Sequence, residues 1–314
     1  MTKVSILVSG ANGQIGSVLT KALREKYGKD AVLATDIRMG NHDDGPFELL
    51  DILDAKQLSR LVRKYKINQI YHLAAILSET GEKHPRMAWD INTNGLFNVL
   101  EIAKERHMKL FFPSSIGVFG SHTPRVLTPQ ETIIHPETVY GISKAAGENW
   151  CQYYYLHYDV DVRSVRYPGI ISYQSPPGGG TTDYAVDIYH KAVQGEDYEC
   201  FLQEDTMLPM MYMDDAIKAT LQLMEAPAEK VKIRTSYNLA AMSFTPAEIT
   251  AEIQKYYPDF RVTYKPDFRQ EIADSWPQTI DDHQATDDWG WHPDYDLKNM
   301  TSEMIRNLKA MLVK

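Results

Sequence analysis

The chain carries only two cysteines, Cys151 and Cys200, in 314 residues. Thiols so few and so far apart exclude a disulfide framework and point to a reducing compartment, here the cytoplasm. Basic residues are in deficit: 33 Lys and Arg stand against 42 Asp and Glu, for a formal net charge of -9. That deficit argues against nucleic acid or an anionic membrane as partner, since both select basic patches. No apolar run approaches the roughly 20 residues needed to span a bilayer. No leader is expected, because Met1-Thr2-Lys3 passes straight into a strand-like run. No Cys and His cluster has metal-ligand spacing, so no metal is expected, and internal repeats and low-complexity tracts are lacking. What remains is 43% hydrophobic and 24% charged residues, enough core for one large domain or two unequal ones.

Residues 4–9 form a short apolar run entering a glycine turn, the pattern of a buried parallel strand. A helix is expected over 15–27, with Val18, Leu19, Ala22 and Leu23 on one face, then a strand over 31–35 that ends on Asp36. Helix 55–65, strand 69–73, a long helix 89–106 and strand 110–112 follow, the last running into Pro113-Ser114-Ser115. Helix 140–158 and strand 160–165 complete the series. This alternation predicts right-handed βαβ units and an α/β fold with a doubly wound parallel sheet. The rhythm breaks after Arg166, where the Pro- and Gly-rich run 175–180 reads as a loop. Beyond it, helices over 183–194, 214–225 and 245–257 mix with short aromatic-rich extended pieces. The reading is a dinucleotide-binding domain over 1–170, with segments near 210–240 returning to the main sheet, and a smaller C-terminal substrate-binding lobe over 171–314.

Gly10-Ala11-Asn12-Gly13-Gln14-Ile15-Gly16 has G-x-x-G-x-x-G spacing between the first strand and the first helix. A backbone needs such glycines to approach a dinucleotide pyrophosphate at a helix N-terminus. Asp36, some 20 residues on, is placed to accept hydrogen bonds from the ribose hydroxyls and to repel a 2′-phosphate, which favours NAD. In Asp36-Ile37-Arg38 the guanidinium is a counter-argument, since it suits a 2′-phosphate, and an aspartate here also suits a helix cap. Asp51-Ile52, Leu73-Ala74-Ala75 and Tyr167-Pro168-Gly169 fall at the carboxyl ends of strands, where ligands sit. Small Ala74 and Ala75 fit close cofactor approach and close helix packing equally well.

Tyr140 and Lys144 lie one helical turn apart, on one face. An ammonium nearby favours phenolate, so such a tyrosine can act as a base. A chance Y-x-x-x-K is expected about once in a chain with 19 tyrosines, so position decides. Ser114 and Ser115 end a strand some 25 residues upstream, which a βα crossover brings beside the start of that helix. Moving a phenol from about 10 to about 7 requires roughly 4 kcal/mol of differential stabilisation, and Lys144 with an oxidised nicotinamide are the available sources.

These residues resemble the extended short-chain dehydrogenase/reductase family over essentially the whole chain. The motifs are Gly10 to Gly16, Asp36, Asp51, Leu73-Ala74-Ala75, Asn92, Ser115, Tyr140 with Lys144, and Trp289-Gly290-Trp291-His292-Pro293. Three longer runs, 113–120, 166–171 and 177–185, look most like the L-threonine 3-dehydrogenases of this fold. Pro168 stands where nucleotide-sugar epimerases typically carry an asparagine. The resemblance implies NAD-dependent oxidation of the L-threonine side-chain hydroxyl to 2-amino-3-oxobutyrate, a step of threonine catabolism. Tyr140 would be the base and Ser115 would orient the substrate oxygen, with Asn92 helping a water relay protons from Lys144. Ser78, Thr182, Trp276 and Asp183 are the candidates for holding the amino acid, although a surface serine, a helix cap and a core tryptophan fit the first three equally. The glycine loop and the Trp276 segment together suggest a lid. A homodimer through the 89–106 and 140–158 helices is also implied, against plain sheet packing. The alternatives on the same scaffold are a nucleotide-sugar epimerase or reductase and a non-catalytic NAD-sensing protein.

Overall fold

A computed structural model describes residues 4–40, 44–176, 178 and 180–312. Met1-Thr2-Lys3 and, within the 175–180 run, Pro177 and Gly179 lie outside the described residues. The chain opens with β1 (Ile6–Ser9), α1 (Gln14–Tyr27), β2 (Val32–Asp36), β3 (Phe47–Leu49), α2 (Ala55–Lys64) and β4 (Gln69–His72). Two short helices, α3 (Ser78–Lys83) and α4 (Pro85–Trp89), lead through a wide-turned π segment (Asp90–Asn94) into α5 (Gly95–Arg106). The helix expected over 89–106 is continuous in the structure, with one wide π turn inserted at Asp90–Asn94. Then come β5 (Lys109–Ser115), α6 (Val139–Tyr158), β6 (Asp161–Tyr167) and β7 (Gly169–Ile171). The remainder holds α7 (Tyr184–Gln194), β8 (Tyr198–Cys200), β9 (Leu208–Tyr212), α8 (Met213–Glu225), β10 (Tyr237–Asn238) and β11 (Met242–Phe244). It ends with α9 (Pro246–Gln254), β12 (Val262–Tyr264), α10 (Arg269–Asp274), α11 (His283–Trp289) and α12 (Leu297–Leu312).

Seven strands form one parallel sheet in the order β10-β6-β5-β4-β1-β2-β3. Apolar side chains line both faces: Val8, Leu19 and Ala216 pack on one, Leu7, Val99 and Phe112 on the other. Two covered faces make the sheet doubly wound, and strand order reverses between β1 and β4, where a crevice opens. Of the segments near 210–240, β10 joins this sheet beside β6. β9 instead pairs with β7 and β11 in a separate three-stranded sheet. A third cluster around Tyr184, Tyr189, Phe244 and Met304 forms the core beneath it. Among the described residues no helix is long and apolar enough to cross a membrane.

Local chemistry sets the helix ends. Thr138 caps α6 by accepting from Gly141 N at 3.0 Å, Asp54 caps α2 through Gln57 N, and Thr245 with Glu248 forms a reciprocal capping box on α9. One buried ion pair fixes how α6 lies on the sheet. Arg166 of β6 donates from Nε and Nη2 to Glu148 of α6 at 2.9 and 2.8 Å, and both side chains are 2% exposed. Ser114 of β5 donates to the same carboxylate at 2.5 Å, while Arg166 Nη1 reaches Asn238 of β10 and the Gln130 carbonyl.

Removing one partner of such a pair strands a buried charge, at about 3–5 kcal/mol. Arg166→Leu should therefore lower the urea midpoint by that equivalent, while Arg166→Met combined with Glu148→Leu recovers most of it. An unchanged midpoint in the single variant would show that the pair does not organise the sheet.

Candidate active site

At the end of β1 the chain turns so sharply that Gly10 takes φ +71°. A Cβ there would lie 2.7 Å from Ala74 N, and one on Gly16 would lie 2.1 Å from the Gly10 carbonyl. Only glycine lets the turn press against the loop after β4 and the first turn of α1 press on the turn. No side chain caps the N-terminus of α1 at Gly13, which leaves first-turn amides of Gln14 and Ile15 for an anion. Asp36, at the end of β2, accepts from Asn12 N at 3.1 Å and Arg38 N at 3.2 Å, one bond per carboxylate oxygen. Each oxygen keeps acceptor capacity for ribose hydroxyls. Asn12 Nδ2 ties the Arg38 carbonyl at 2.7 Å, and the Ile37 and Arg38 side chains are exposed beside it. A cradle that any Cβ would fill, an uncapped helix start and an acceptor carboxylate on the adjoining strand together fit a dinucleotide.

From this turn a cleft of about 1100 Å³ runs along the carboxyl edge of the sheet, lined by Gly10, Gly13, Gln14, Ile15 and Gly16 at one end. Leu73, Ala75, Ser115, Tyr140, Lys144, Tyr167, Pro168 and Gly169 form its middle. Ser78, Thr182, Asp183 and Trp276 form its other wall. Asp51 and Ile52 lie outside this enclosed part, past the end of β3. Asp51 accepts from Leu53 N and Asn98 holds the Ile52 carbonyl. Ala74 contributes backbone behind Gly10.

Ser115 Oγ accepts from Gly117 N at 3.1 Å and is hydrogen-bonded to the Tyr140 hydroxyl. Lys144 is buried, donates to the Pro113 carbonyl at 2.7 Å and lies 4.7 Å over the Phe112 ring. It approaches the Tyr140 ring centroid only to 5.6 Å. The electrostatics reverse the expectation from spacing. Burial pushes the Tyr140 phenol up to about 12, with the Ser115 bond opposing, and burial lowers Lys144 to about 8. The same desolvation disfavours both charged forms, so the lysine by itself does not turn the phenol into a base.

Asn92 is buried in the π segment, where Oδ1 accepts from Ile76 N at 2.7 Å and Nδ2 donates to the Ile76 carbonyl and Ser143 Oγ. Its side-chain amide thus fastens the loop after β4 to α6, next to Lys144 in sequence. Asp183 receives the amides of Gly178 and Gly180 at 2.6 and 2.8 Å, which pins the glycine loop. Trp276 both lines the cleft and packs in the small-lobe core. Sequence reasoning missed Leu77, Pro113, Ile116 and Thr181, which also line the cleft. Pro113 is recoverable as the strand residue two before Ser115, and Thr181 as the neighbour of Thr182 in an unusual run. Nothing in the sequence marks the other two.

With this geometry in place, the class is clear. The model of the NAD dependent epimerase/dehydratase family matches residues 6–240, so the chain belongs to that family and is an NAD-dependent oxidoreductase. An uncharacterised epimerase/dehydratase of Staphylococcus haemolyticus is 50% identical over 97% of each chain. Among solved structures, the holo form of a GalE-like L-threonine dehydrogenase from Cupriavidus necator is 55% identical, covers 97% of this chain and 100% of that one, and superposes with TM-score 0.96. A monomeric L-threonine 3-dehydrogenase from a metagenome, in its apo form, is 50% identical over 98% and 99% of the two chains, with TM-score 0.95.

Beneath the glycine turn, His72 Nδ1 lies 2.9 Å from Ser9 Oγ, fully enclosed. Burial, with the Lys144 charge adding to it, lowers His72 from 6.5 to about 3. Its contribution to stability is complete above about pH 6.5 and is lost as pH falls toward 3, amounting to about 2 kcal/mol by pH 5. Urea unfolding of the chain and of His72→Gln at pH 7 and pH 5 should show that much less acid loss in the variant; equal loss in both would refute the assignment.

Proposed function

We propose that the protein oxidises the side-chain hydroxyl of L-threonine with NAD, giving 2-amino-3-oxobutyrate, a step of threonine catabolism in the cytoplasm. The observation that carries this reading is the shared cleft, in which Thr182 and Trp276 face the same space as Ser115, Tyr140 and Lys144. Similarity to L-threonine dehydrogenases along nearly the whole chain supports the same substrate.

NAD, when bound, supplies the hydride acceptor and a cationic ring. The chain's own part is to hold and deprotonate the hydroxyl. Ser115 Oγ hydrogen-bonds the substrate oxygen and fixes its angle to Tyr140, whose phenolate, formed once the cationic ring is bound, takes the hydroxyl proton. Lys144, held by the Pro113 carbonyl, is a fixed positive charge beneath that phenol while protonated. Asn92 is a positioning residue that sets the start of α6 through Ser143. Ser78, Thr182 and Trp276 hold the amino acid's polar ends, with Asp183 acting by keeping the glycine loop in place. Gly10, Asn12, Gly13, Gln14, Ile15 and Gly16 receive the pyrophosphate, and Asp36 with Ile37, Arg38, Asp51 and Ile52 receives the adenosine. Residues 1–170 thus serve the cofactor and 171–314 the substrate.

With NAD and L-threonine, NADH absorbance should appear, and UDP-glucose should give neither turnover nor a thermal shift; the reverse pattern would favour epimerisation. Tyr140→Phe should cut turnover by about 10²–10⁴ and change NAD affinity by less than about threefold. Because the base must lose its proton, kcat/KM for L-threonine on the unmodified chain saturated with NAD should rise from about pH 6 to about pH 8. A flat profile, or a variant at full rate, would remove Tyr140 from the role.

The opposite face of α6 supports a homodimer. Trp150, Tyr153 and Tyr158 are more than a third exposed and Leu156 is 65% exposed, beside exposed Trp89 of α4, an apolar patch that a second copy would cover. Light scattering should give twice the monomer mass, falling to the monomer in Trp150→Glu/Leu156→Glu. A monomer at the outset, like the metagenomic relative, would refute it.

A further inference from the structure

Trp276, which lines the cleft and is 6% exposed, is held from two sides. Its N–H donates to the Ala273 carbonyl at 3.1 Å, which ties it to the last turn of α10 in the small lobe. Its carbonyl accepts from Arg125 Nε at 3.1 Å, and Arg125 belongs to the long segment between β5 and α6. Pro277 follows at once, which rules out helical pairing beyond it and leaves that carbonyl to a partner from elsewhere in the chain.

The segment that brings Arg125 there is built as a brace. The Arg125 carbonyl accepts from Gln278 N and Thr279 N at 2.7 and 3.1 Å. Thr128 N donates to the Thr279 carbonyl at 3.0 Å, and Asp281 N to the Thr128 carbonyl at 3.1 Å. Leu127 N reaches Thr279 Oγ1 at 2.7 Å, and Thr128 Oγ1 closes the turn on the Pro124 carbonyl at 2.6 Å. Burial of apolar surface does not hold the tip of this turn, since Val126 and Leu127 are 63% and 65% exposed. Leu127 takes φ +48°, a left-handed conformation that is costly for leucine and persists where the surroundings over-determine it. Those surroundings lead to the parallel sheet. Asn238 of β10 donates to the Thr128 and Asp281 carbonyls at 3.1 and 3.2 Å and accepts from Arg166 at 2.9 Å. The Gln130 side chain, two residues past Thr128, accepts from Asn238 N at 2.7 Å.

We propose that Arg125 is a positioning residue, which holds the Trp276 wall of the cleft at a set distance from the sheet that carries Ser115 and Tyr140. This role rests on the reading of Trp276 as part of the amino-acid site. The main-chain bonds of the brace begin at Gln278, past the proline, whereas the Arg125 bond acts on Trp276 itself. A guanidinium donor makes that bond charge-assisted, about twice as strong as a neutral one. Without it the tryptophan keeps its tie to α10 and follows the small lobe. The cleft then loosens at its substrate end, while the glycine turn and Asp36 are untouched.

Arg125→Met keeps the aliphatic stem and removes the donor, and Arg125→Lys keeps a charged one. In steady-state assays of the full chain, Arg125→Met should raise KM for L-threonine by about tenfold, the worth of one hydrogen bond from a charged group, and lower kcat by less than about threefold. NAD affinity should stay as it is, and Arg125→Lys should recover most of the loss. A second readout needs no substrate: acrylamide should quench Trp276 fluorescence more readily in Arg125→Met, and the gain should vanish when Trp276→Phe is added. An unchanged KM, an equal gain in quenching with Trp276→Phe present, or a loss of NAD affinity as large as that for L-threonine would overturn the proposal. If the unmodified chain does not oxidise L-threonine, the substrate reading fails, and the quenching comparison alone decides whether Arg125 positions Trp276.

Discussion

The site depends on one buried contact, the two-pronged pair between Arg166 and Glu148. Three residues that line the cleft sit next in sequence, or one turn away, from a member of that network. Ser115 follows Ser114, which donates to Glu148; Lys144 is one turn before Glu148; Tyr167 follows Arg166. A buried pair is weak evidence for stability as such, because desolvation offsets much of its attraction. Its value here is registry. Sliding α6 by one turn would leave a carboxylate and a guanidinium unpaired in a dry layer, so the helix has one acceptable seat on β5 and β6. That seat brings Tyr140 beside Ser115.

Within that seat burial moves the two titratable groups in opposite directions from their ordinary values. The phenol stands high and the ammonium low for one reason, the exclusion of water from both. A protein that needs a tyrosine base only when a cationic cofactor is present gains from this arrangement. The phenol keeps its proton while the cleft is empty, and the positive charge that lowers it arrives together with the reaction partner.

The parts of this arrangement that were legible from sequence are those governed by local rules. Glycine spacing between a strand and a helix, apolar periodicity in α1, α5 and α6, and the phase of Tyr140 to Lys144 all follow from geometry over a few residues. The short strands β3, β7, β8 and β10 to β12 have two or three residues each, too few for any period to register. The π turn that leads into α5 leaves no mark in Asp90-Ile91-Asn92-Thr93-Asn94; the buried Asn92 amide in it is bonded to Ile76, a partner outside the segment. The state of Tyr140 was illegible for a related reason. Sequence spacing gives which groups are neighbours, but burial decides whether a neighbour's charge or the loss of water prevails.

The same distinction explains how the two halves stay in step. After Tyr167 the chain runs through Pro168 into β7, which leaves the parallel sheet and pairs with β9. At Gly169 a Cβ would lie 2.4 Å from Met210 Sδ and 2.7 Å from Thr182 Cβ. β7 is thus packed without clearance against Thr182 of the run that follows the glycine loop. Close packing of this kind transmits displacement because it has no slack to absorb it. Thr182 is in turn one residue from Asp183, whose carboxylate holds the glycine loop. A shift at the Tyr167-Pro168-Gly169 edge is therefore carried through one van der Waals contact and two hydrogen bonds to the loop over the cleft.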